Sequence, residues 1–130
     1  MNGQQLRTLT GALGIVSIGF GGAAIVAPRW FGRLFGLEAV ERPQVGSVIR
    51  AVGARDVAVG YGLVSSATSG RPVAPWLLAR LICDGVDAVA CTLAIRNGAR
   101  NSRFLGLTGF AAGATAGGAL LYARAIKPVD

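Results

Sequence analysis

Charged side chains stand in the middle of two long apolar segments of this chain, and their types suit proton transfer. Two carboxyl groups with divided protonation form a general acid and base pair. A neighbouring arginine orients water and keeps one carboxylate ionised. Three of the six acidic residues lie there, and three arginines balance them in charge. The charged set comprises Arg50, Arg55 and Asp56 in one segment and Arg80, Asp84 and Asp87 in the next.

The charged residues of the second segment lie along one stripe of a helix. Arg80, Asp84 and Asp87 are separated by four and then three residues, which is the spacing of one helical face. Arg80 and Asp84 are therefore expected to pair within that helix. Asp84 and Asp87 are one turn apart. Two carboxylates so close in a low dielectric share a proton at neutral pH unless cations neutralise them.

An antiparallel pairing of the two segments brings opposite charges to the same depth. With the segment midpoints placed near Val57 and Asp84, the uniform rise of a helix sets the register. In that register Arg55 lies level with Asp87, and Asp56 lies level with Asp84. The sequence therefore predicts a cluster of opposite charges between two neighbouring helices.

Residues around the cluster are expected to complete the site. Tyr61 falls level with Arg80 and is expected to be an accessory hydrogen-bond donor. Arg50 lies nearer the end of its segment, where it is expected to contact substrate or to extend towards the membrane interface. Gly53 and Gly60 leave room for a small group or water and belong to the expected substrate-binding set. The expected catalytic residues are Asp56, Asp84, Asp87, Arg55, Arg80 and Tyr61.

The composition is that of a small integral membrane protein. Of the 130 residues, 52% are hydrophobic and only 15% are charged, whereas soluble domains carry about 25% charged residues. The chain has 20 glycines, which transmembrane helices tolerate better than soluble helices do. We therefore predict an all-α, single-domain, four-helix transmembrane bundle in a lipid bilayer of the bacterial cytoplasmic type.

Four apolar segments are each long enough to cross a hydrocarbon core of roughly 30 Å. A short amphipathic piece, 29–37, follows the first span and is expected to lie in the membrane interface. The tight turn 69–72 makes the second and third spans antiparallel neighbours. Both termini then lie on one side, and the loop arginines favour cytoplasmic first and third loops. The predicted spans are 8–27, 46–68, 73–95 and 104–123.

The residue types exclude several other functions. The net charge of +7 is spread around the ends of the apolar segments, where cationic side chains meet lipid headgroups, so nucleic acid is not an expected partner. The chain has no histidine, which excludes serine–histidine triads and histidine-based metal sites. We expect neither a cofactor nor a metal. Cys83 and Cys91 stand roughly 12 Å apart on one helix, too far for a disulfide.

A ridge of small residues runs along the fourth span. Gly109, Gly113 and Gly117 are spaced four apart, which lets another helix approach closely. This ridge fits either packing inside the bundle or a homodimer interface.

The segment 50–63, RAVGARDVAVGYGL, resembles the signature of the DUF4267 family of small four-helix membrane proteins. The G-x-R-D-x-x-x-G core of that family is matched by Gly53, Arg55, Asp56 and Gly60. Its aspartate-rich third span is matched by the segment 83–89, CDGVDAV. The end of the first span also resembles that of the family: it closes in Pro-Arg, at positions 28–29, and Phe-Gly-Leu follows at positions 35–37. The resemblance covers most of the chain and implies a four-helix membrane fold, while the function of the family is mostly unassigned.

The resemblance extends to fungal membrane proteins of polyether polyketide pathways, which are assigned epoxide-hydrolysing roles. Soluble epoxide hydrolases of the limonene-epoxide type also use an Asp-Arg-Asp set, which is an analogy of residue types. These similarities imply cofactor-independent opening of an epoxide in a small hydrophobic substrate. Two other interpretations stay open. One is a small dimeric proton-coupled transporter; the other is a structural or accessory subunit whose charges only hold two helices in register.

Overall fold

The computed structural model describes residues 1–127, and this part of the chain is all-α, as predicted. Each of the four predicted spans forms a long helix whose ends differ from the prediction by a few residues. The amphipathic piece after the first span forms a short helix of its own. The helices are α1 (Gly3–Val26), α2 (Pro28–Leu34), α3 (Pro43–Thr68), α4 (Ala74–Arg96) and α5 (Ser102–Ala125).

Helix ends follow local sequence signals. Asn2 and Gln5 form a capping box, with each side chain accepting a hydrogen bond from the backbone N–H of the other, at 2.8 and 2.9 Å. Asn101 caps α5 through its side chain. Pro43 occupies the first turn of α3, where its missing N–H costs nothing. Gly70 takes a φ of +73° just beyond α3, a conformation that glycine adopts without strain.

The helices associate as two close pairs, α1 with α3 and α4 with α5. Glycines allow the first pair to approach. A Cβ atom on Gly60 would lie 2.7 Å from the Gly14 carbonyl oxygen, and one on Gly53 would lie 2.6 Å from the Gly21 carbonyl oxygen. These distances are too short for any larger residue, so the two backbones are in direct contact.

α3 and α4 are consecutive, as the tight turn predicts, but they pack less closely than the two main pairs. The side chains of Arg55 on α3 and Asp87 on α4 bridge them. A cavity lined by residues of all five helices also lies between the pairs. The candidate site therefore occupies the region between the α1/α3 pair and the α4/α5 pair.

Polar side chains point inwards and many large apolar side chains point outwards. Thr10 and Ser17 are 0% and 1% exposed, whereas Ile15 and Leu120 are 65% and 70% exposed. By length and composition, α1 and α5 are each apolar enough to cross a membrane. By the same criterion α3 and α4, which carry the charged residues, do not qualify as membrane spans.

The glycine ridge of α5 lies on the outer surface. A Cβ atom at Gly109, Gly113 or Gly117 would meet no heavy atom within 4 Å in the described part of the chain. Packing inside the bundle, one of the two interpretations of this ridge, is therefore wrong. The homodimer interface stays a prediction.

Candidate functional site

Arg55 on α3 links two carboxylates. Its Nη1 and Nη2 atoms donate to Asp87 Oδ1 and Oδ2 at 2.9 and 2.6 Å. Its Nη2 and Nε atoms also donate to Asp56 Oδ1, at 2.9 and 3.2 Å. The bidentate contact with Asp87 confirms the predicted register, in which Arg55 and Asp87 share one depth.

Arg80 on α4 links a second pair of carboxylates. It contacts Asp84 in bidentate fashion, with Nε donating to Oδ2 at 2.8 Å and Nη2 lying 2.6 Å from Oδ1. This confirms the predicted pairing within the helix. The Nη1 atom lies 3.6 Å from Asp56 Oδ1. Asp56 therefore sits between two guanidinium groups, and the five side chains form one continuous network.

Ser17 on α1 joins this network, although the sequence argument did not identify it. Arg80 Nη1 donates to Ser17 Oγ at 3.0 Å, and Ser17 is 1% exposed. A hydroxyl-bearing residue inside an otherwise apolar span is the signal that was available, because such residues often bond across helices. Ser17 supplies an acceptor to the Arg80 nitrogen that Asp84 leaves free.

Arg50 lies apart from the network. Its Nε atom donates to the Ile25 carbonyl oxygen at 3.1 Å, and it makes no ion pair within residues 1–127. The carbonyl end of α1, which carries partial negative charge, attracts it. The expected balance of three arginines and three aspartates therefore does not hold. With every group ionised, the network has two cations and three anions, and one negative charge is in excess.

Three other expected site residues take no part in the network. Tyr61 is 69% exposed, and its hydroxyl makes no hydrogen bond to the rest of the described chain. The space beside Gly53 and Gly60 is filled by the backbone and side chains of α1. These two glycines bring helices together, and the structure gives them no open space for a small group or water.

A cavity of about 220 Å³ adjoins the network. Three phenylalanines on three different elements form part of its wall. Phe20 on α1 meets Phe31 edge-on at 5.3 Å and stacks on Phe110 at 5.5 Å between ring centroids. Sequence reasoning missed this wall because the three residues are far apart in the chain. The charged residues that line the cavity are Asp56, Arg80, Asp84 and Asp87.

The three carboxylates differ in how tightly the arginines hold them. Both oxygens of Asp84 and both oxygens of Asp87 contact a guanidinium group. Asp56 Oδ2 accepts no hydrogen bond from any described residue, and it retains accessible surface. The side chains of Asp84, Asp56 and Asp87 are 5%, 13% and 34% exposed. Asp56 therefore has the free oxygen, and Asp87 is the most open carboxylate.

The arrangement suits proton transfer at an apolar surface. Within residues 1–127, no group of three or more histidine, cysteine, aspartate or glutamate side chains is placed to hold a metal ion.

Comparisons with protein-family models, with curated proteins and with solved structures gave no match to this chain. The family resemblance stays a prediction, and the carboxylate–guanidinium network beside the apolar cavity is the basis for inferring function.

Proposed function

We propose that this protein is a four-helix membrane enzyme that performs cofactor-independent acid/base chemistry on a small hydrophobic substrate. The most concrete reaction is hydrolytic opening of an epoxide. One observation carries the proposal: three carboxylates, bound by two arginines, stand at the wall of an apolar cavity with aromatic sides.

The distribution of side chains supports a membrane location for all four long helices. Soluble monomers seldom expose large contiguous apolar patches, whereas this protein exposes apolar side chains along every long helix, including Val16, Val48, Val89 and Leu120. The five charged side chains of the network on α3 and α4 are paired with one another, which is how ionisable groups persist within a bilayer. We therefore infer that α3 and α4 also cross the membrane, although both carry charge.

The unbalanced charge of the network favours a functional role over a purely structural one. A buried ion pair is seldom more stabilising than a hydrophobic replacement. A network that only fixed helix register would have no need of a third carboxylate in excess of the arginines. One bound proton neutralises the excess, so the network is suited to taking up and releasing a proton.

We assign the base role to Asp56. Guanidinium groups of Arg55 and Arg80 lie 2.9 and 3.6 Å from its Oδ1 atom, and its Oδ2 atom is free to accept a hydrogen bond from water. Asp87 is assigned the acid role. It contacts one arginine rather than two, and it is the most exposed of the three carboxylates, so a substrate and water can reach it. Asp84 positions Arg80, which holds both of its oxygens.

The proposed reaction balances within this set of residues. Asp56 takes a proton from water as the water oxygen bonds to one epoxide carbon. The bond between that carbon and the epoxide oxygen breaks, and the oxygen receives the proton of Asp87. The product is a diol. Transfer of a proton from Asp56 to Asp87, which Arg55 bridges, restores the starting state.

The cavity limits the size of the substrate. Its volume of about 220 Å³ exceeds the roughly 150 Å³ of a cavity that admits benzene. It falls below the roughly 300 Å³ at which pockets for drug-sized ligands begin. We therefore expect an epoxide with a single small ring or a short alkyl chain.

The test is diol formation from such epoxides. The purified protein in detergent is incubated with cyclohexene oxide, styrene oxide and limonene oxide in ¹⁸O-labelled water, and the diols are measured by mass spectrometry. We expect Asp56→Asn and Asp87→Asn to lower turnover by roughly 10²-fold or more. The control Glu38→Gln removes an exposed carboxylate outside the cavity and should turn over normally.

The isotope separates two mechanisms. Attack by water places ¹⁸O in the diol from the first turnover, as we propose. An unlabelled diol in a single turnover would instead mean that a carboxylate attacks the epoxide. Failure to form diol from every epoxide, or equal activity in the parent and both aspartate variants, would refute the proposal.

Proton-coupled transport is the second candidate, and the outward-facing glycine ridge of α5 favours it. Four helices are few for a transporter, so this function requires a homodimer. Gly109, Gly113 and Gly117 offer an unoccupied surface at which a second copy packs closely. Molecular mass in detergent tests this alternative, because a strict monomer counts against transport.

A further inference from the structure

A second cavity, of about 660 Å³, lies where α1 ends and α3 begins. It shares no lining residue with the cavity beside the carboxylates. Four of its lining residues are arginines and one is acidic, which leaves an excess of three positive charges. The lining charged residues are Arg29, Arg33, Arg42, Arg50 and Glu41. We refer to it as the basic groove.

The arginines of the basic groove are only partly neutralised. Glu41 is shared by two of them, since it contacts both Arg33 and, at 3.4 Å, Arg29. Arg42 and Arg50 have no carboxylate partner within residues 1–127. The Nε atom of Arg50 is held by the Ile25 carbonyl oxygen, which leaves both Nη groups available. A guanidinium group with two free nitrogens suits bidentate contact with a phosphate.

The start of α3 adds to the positive potential. Pro43, Gly46 and Ser47 of its first turns line the groove. This helix has 26 residues, and its first turn has neither an acidic residue nor a side-chain cap. The positive end of its dipole therefore faces the same space as the arginines.

The surroundings of the groove indicate an amphiphile. Trp30 is 59% exposed and Val26 is 83% exposed, and both line the groove. Tryptophan is enriched at the level of lipid headgroups, and the groove lies at the end of α1, one of the two helices apolar enough to cross a membrane. A ligand in this place meets cationic groups and exposed apolar side chains together.

We propose that the basic groove binds the phosphate of an anionic phospholipid headgroup. The lipid tails extend along the apolar side chains near Val26, while the phosphate contacts Arg42 and Arg50. This site depends on the membrane location of the protein and is independent of the chemistry at Asp56 and Asp87.

The test compares short-chain lipids added to the purified protein in neutral detergent. Dioctanoyl phosphatidylglycerol is the anionic probe and dioctanoyl phosphatidylcholine is the zwitterionic one, with binding measured by native mass spectrometry. We expect the parent to bind phosphatidylglycerol more tightly. In Arg42→Gln/Arg50→Gln, affinity for phosphatidylglycerol should fall roughly tenfold or more, because two cations near the phosphate are lost.

The matched control is Arg96→Gln/Arg100→Gln. It removes two exposed arginines, one at the end of α4 and one in the connection to α5. That connection lies at the same end of the molecule, because Asn101 Nδ2 donates to the Gly36 carbonyl oxygen at 2.8 Å. Neither arginine lines the basic groove. We expect this variant to retain the preference for phosphatidylglycerol.

Three results would overturn the proposal. Equal loss of affinity in both double variants would show that overall charge governs binding. Equal affinity of the parent for the two lipids would show that the groove does not select anions. Competition by inorganic phosphate at the same concentration as the lipid would identify a soluble phosphate ligand instead.

A single variant controls for the possibility that the double variant Arg42→Gln/Arg50→Gln loses lipid binding through misfolding. Arg50 bonds to α1, so its replacement disturbs a helix contact, whereas the Arg42 side chain makes no hydrogen bond within the described residues. Arg42→Gln alone should fold normally by circular dichroism and still weaken phosphatidylglycerol binding. Unchanged binding in this variant overturns the proposed role of Arg42. Loss of lipid selectivity with normal epoxide turnover would separate this proposal from the enzymatic one.

Discussion

Replacing Asp84 and Asp87 by asparagine, one at a time, should have very different effects on stability. Both carboxylates form bidentate contacts with an arginine. They differ in burial, since the Asp84 side chain is 5% exposed and that of Asp87 is 34% exposed. The two substitutions therefore remove similar contacts from different environments.

The Asp84→Asn variant should lose roughly 3 to 5 kcal/mol of unfolding free energy. Its partner Arg80 has a side chain that is only 9% exposed. After the substitution, Arg80 retains the 3.6 Å contact with Asp56 and the hydrogen bond to Ser17. Removing one partner of a buried ion pair leaves a charge without full compensation, and this accounts for the expected cost.

The Asp87→Asn variant should change the unfolding free energy by only about 0 to 1 kcal/mol. Its partner Arg55 has a side chain that is 29% exposed and keeps two contacts with Asp56. As the proposed acid, Asp87 holds a proton before the reaction, so a neutral asparagine leaves the net charge of the network unchanged. The expected cost is therefore limited to the loss of its partly exposed contact with Arg55.

The assay is equilibrium unfolding in mixed micelles with increasing denaturing detergent, followed by circular dichroism. Glu38→Gln is the control for loss of an exposed carboxylate. If Asp84→Asn and Asp87→Asn lose equal and large amounts of stability, the cluster is scaffolding and the enzymatic proposal loses its main support. If Asp87→Asn is stable and inactive, this carboxylate serves function rather than folding.

Three further predictions test the packing and the cavity. Gly60→Ala should lower the unfolding free energy by about 1 to 3 kcal/mol because its Cβ atom would press on α1. Gly113→Ala lies on the outer surface, and it should be neutral or slightly stabilising in the same unfolding assay. Thr10→Val should raise the unfolding free energy by about 1 to 2 kcal/mol, since it removes a buried hydroxyl that has no hydrogen-bond partner in the described chain; a loss of stability would reveal an unrecognised partner. Ala114→Phe should fill part of the cavity and raise the KM for ring epoxides more than for a short alkyl epoxide; equal effects on both substrates would argue against binding in this cavity.

Local periodicity was sufficient to predict the helices and the principal ion pairs. The spacing of Arg80 and Asp84 places them on adjacent turns of any α-helix, whatever lies around it. The uniform rise of a helix set Arg55 level with Asp87 once the two segments were taken as antiparallel. Both pairings are present in the structure.

Long-range packing decided the composition and surroundings of the site. The contact of Gly14 with Gly60 brings α1 against α3, and this contact depends on how two distant helices fit each other. The same packing places the carbonyl end of α1 within reach of Arg50, which leaves the network one cation short. Phe20 and Phe110 form one wall although 90 positions of sequence numbering separate them. The sequence by itself determined the helices and the level of each charge along them, because these follow from bonds within a few residues. Tertiary structure alone determined that Ser17 joins these ion pairs, that Arg50 does not, and what cavity they face, because those depend on the shapes of surfaces that are remote in the chain.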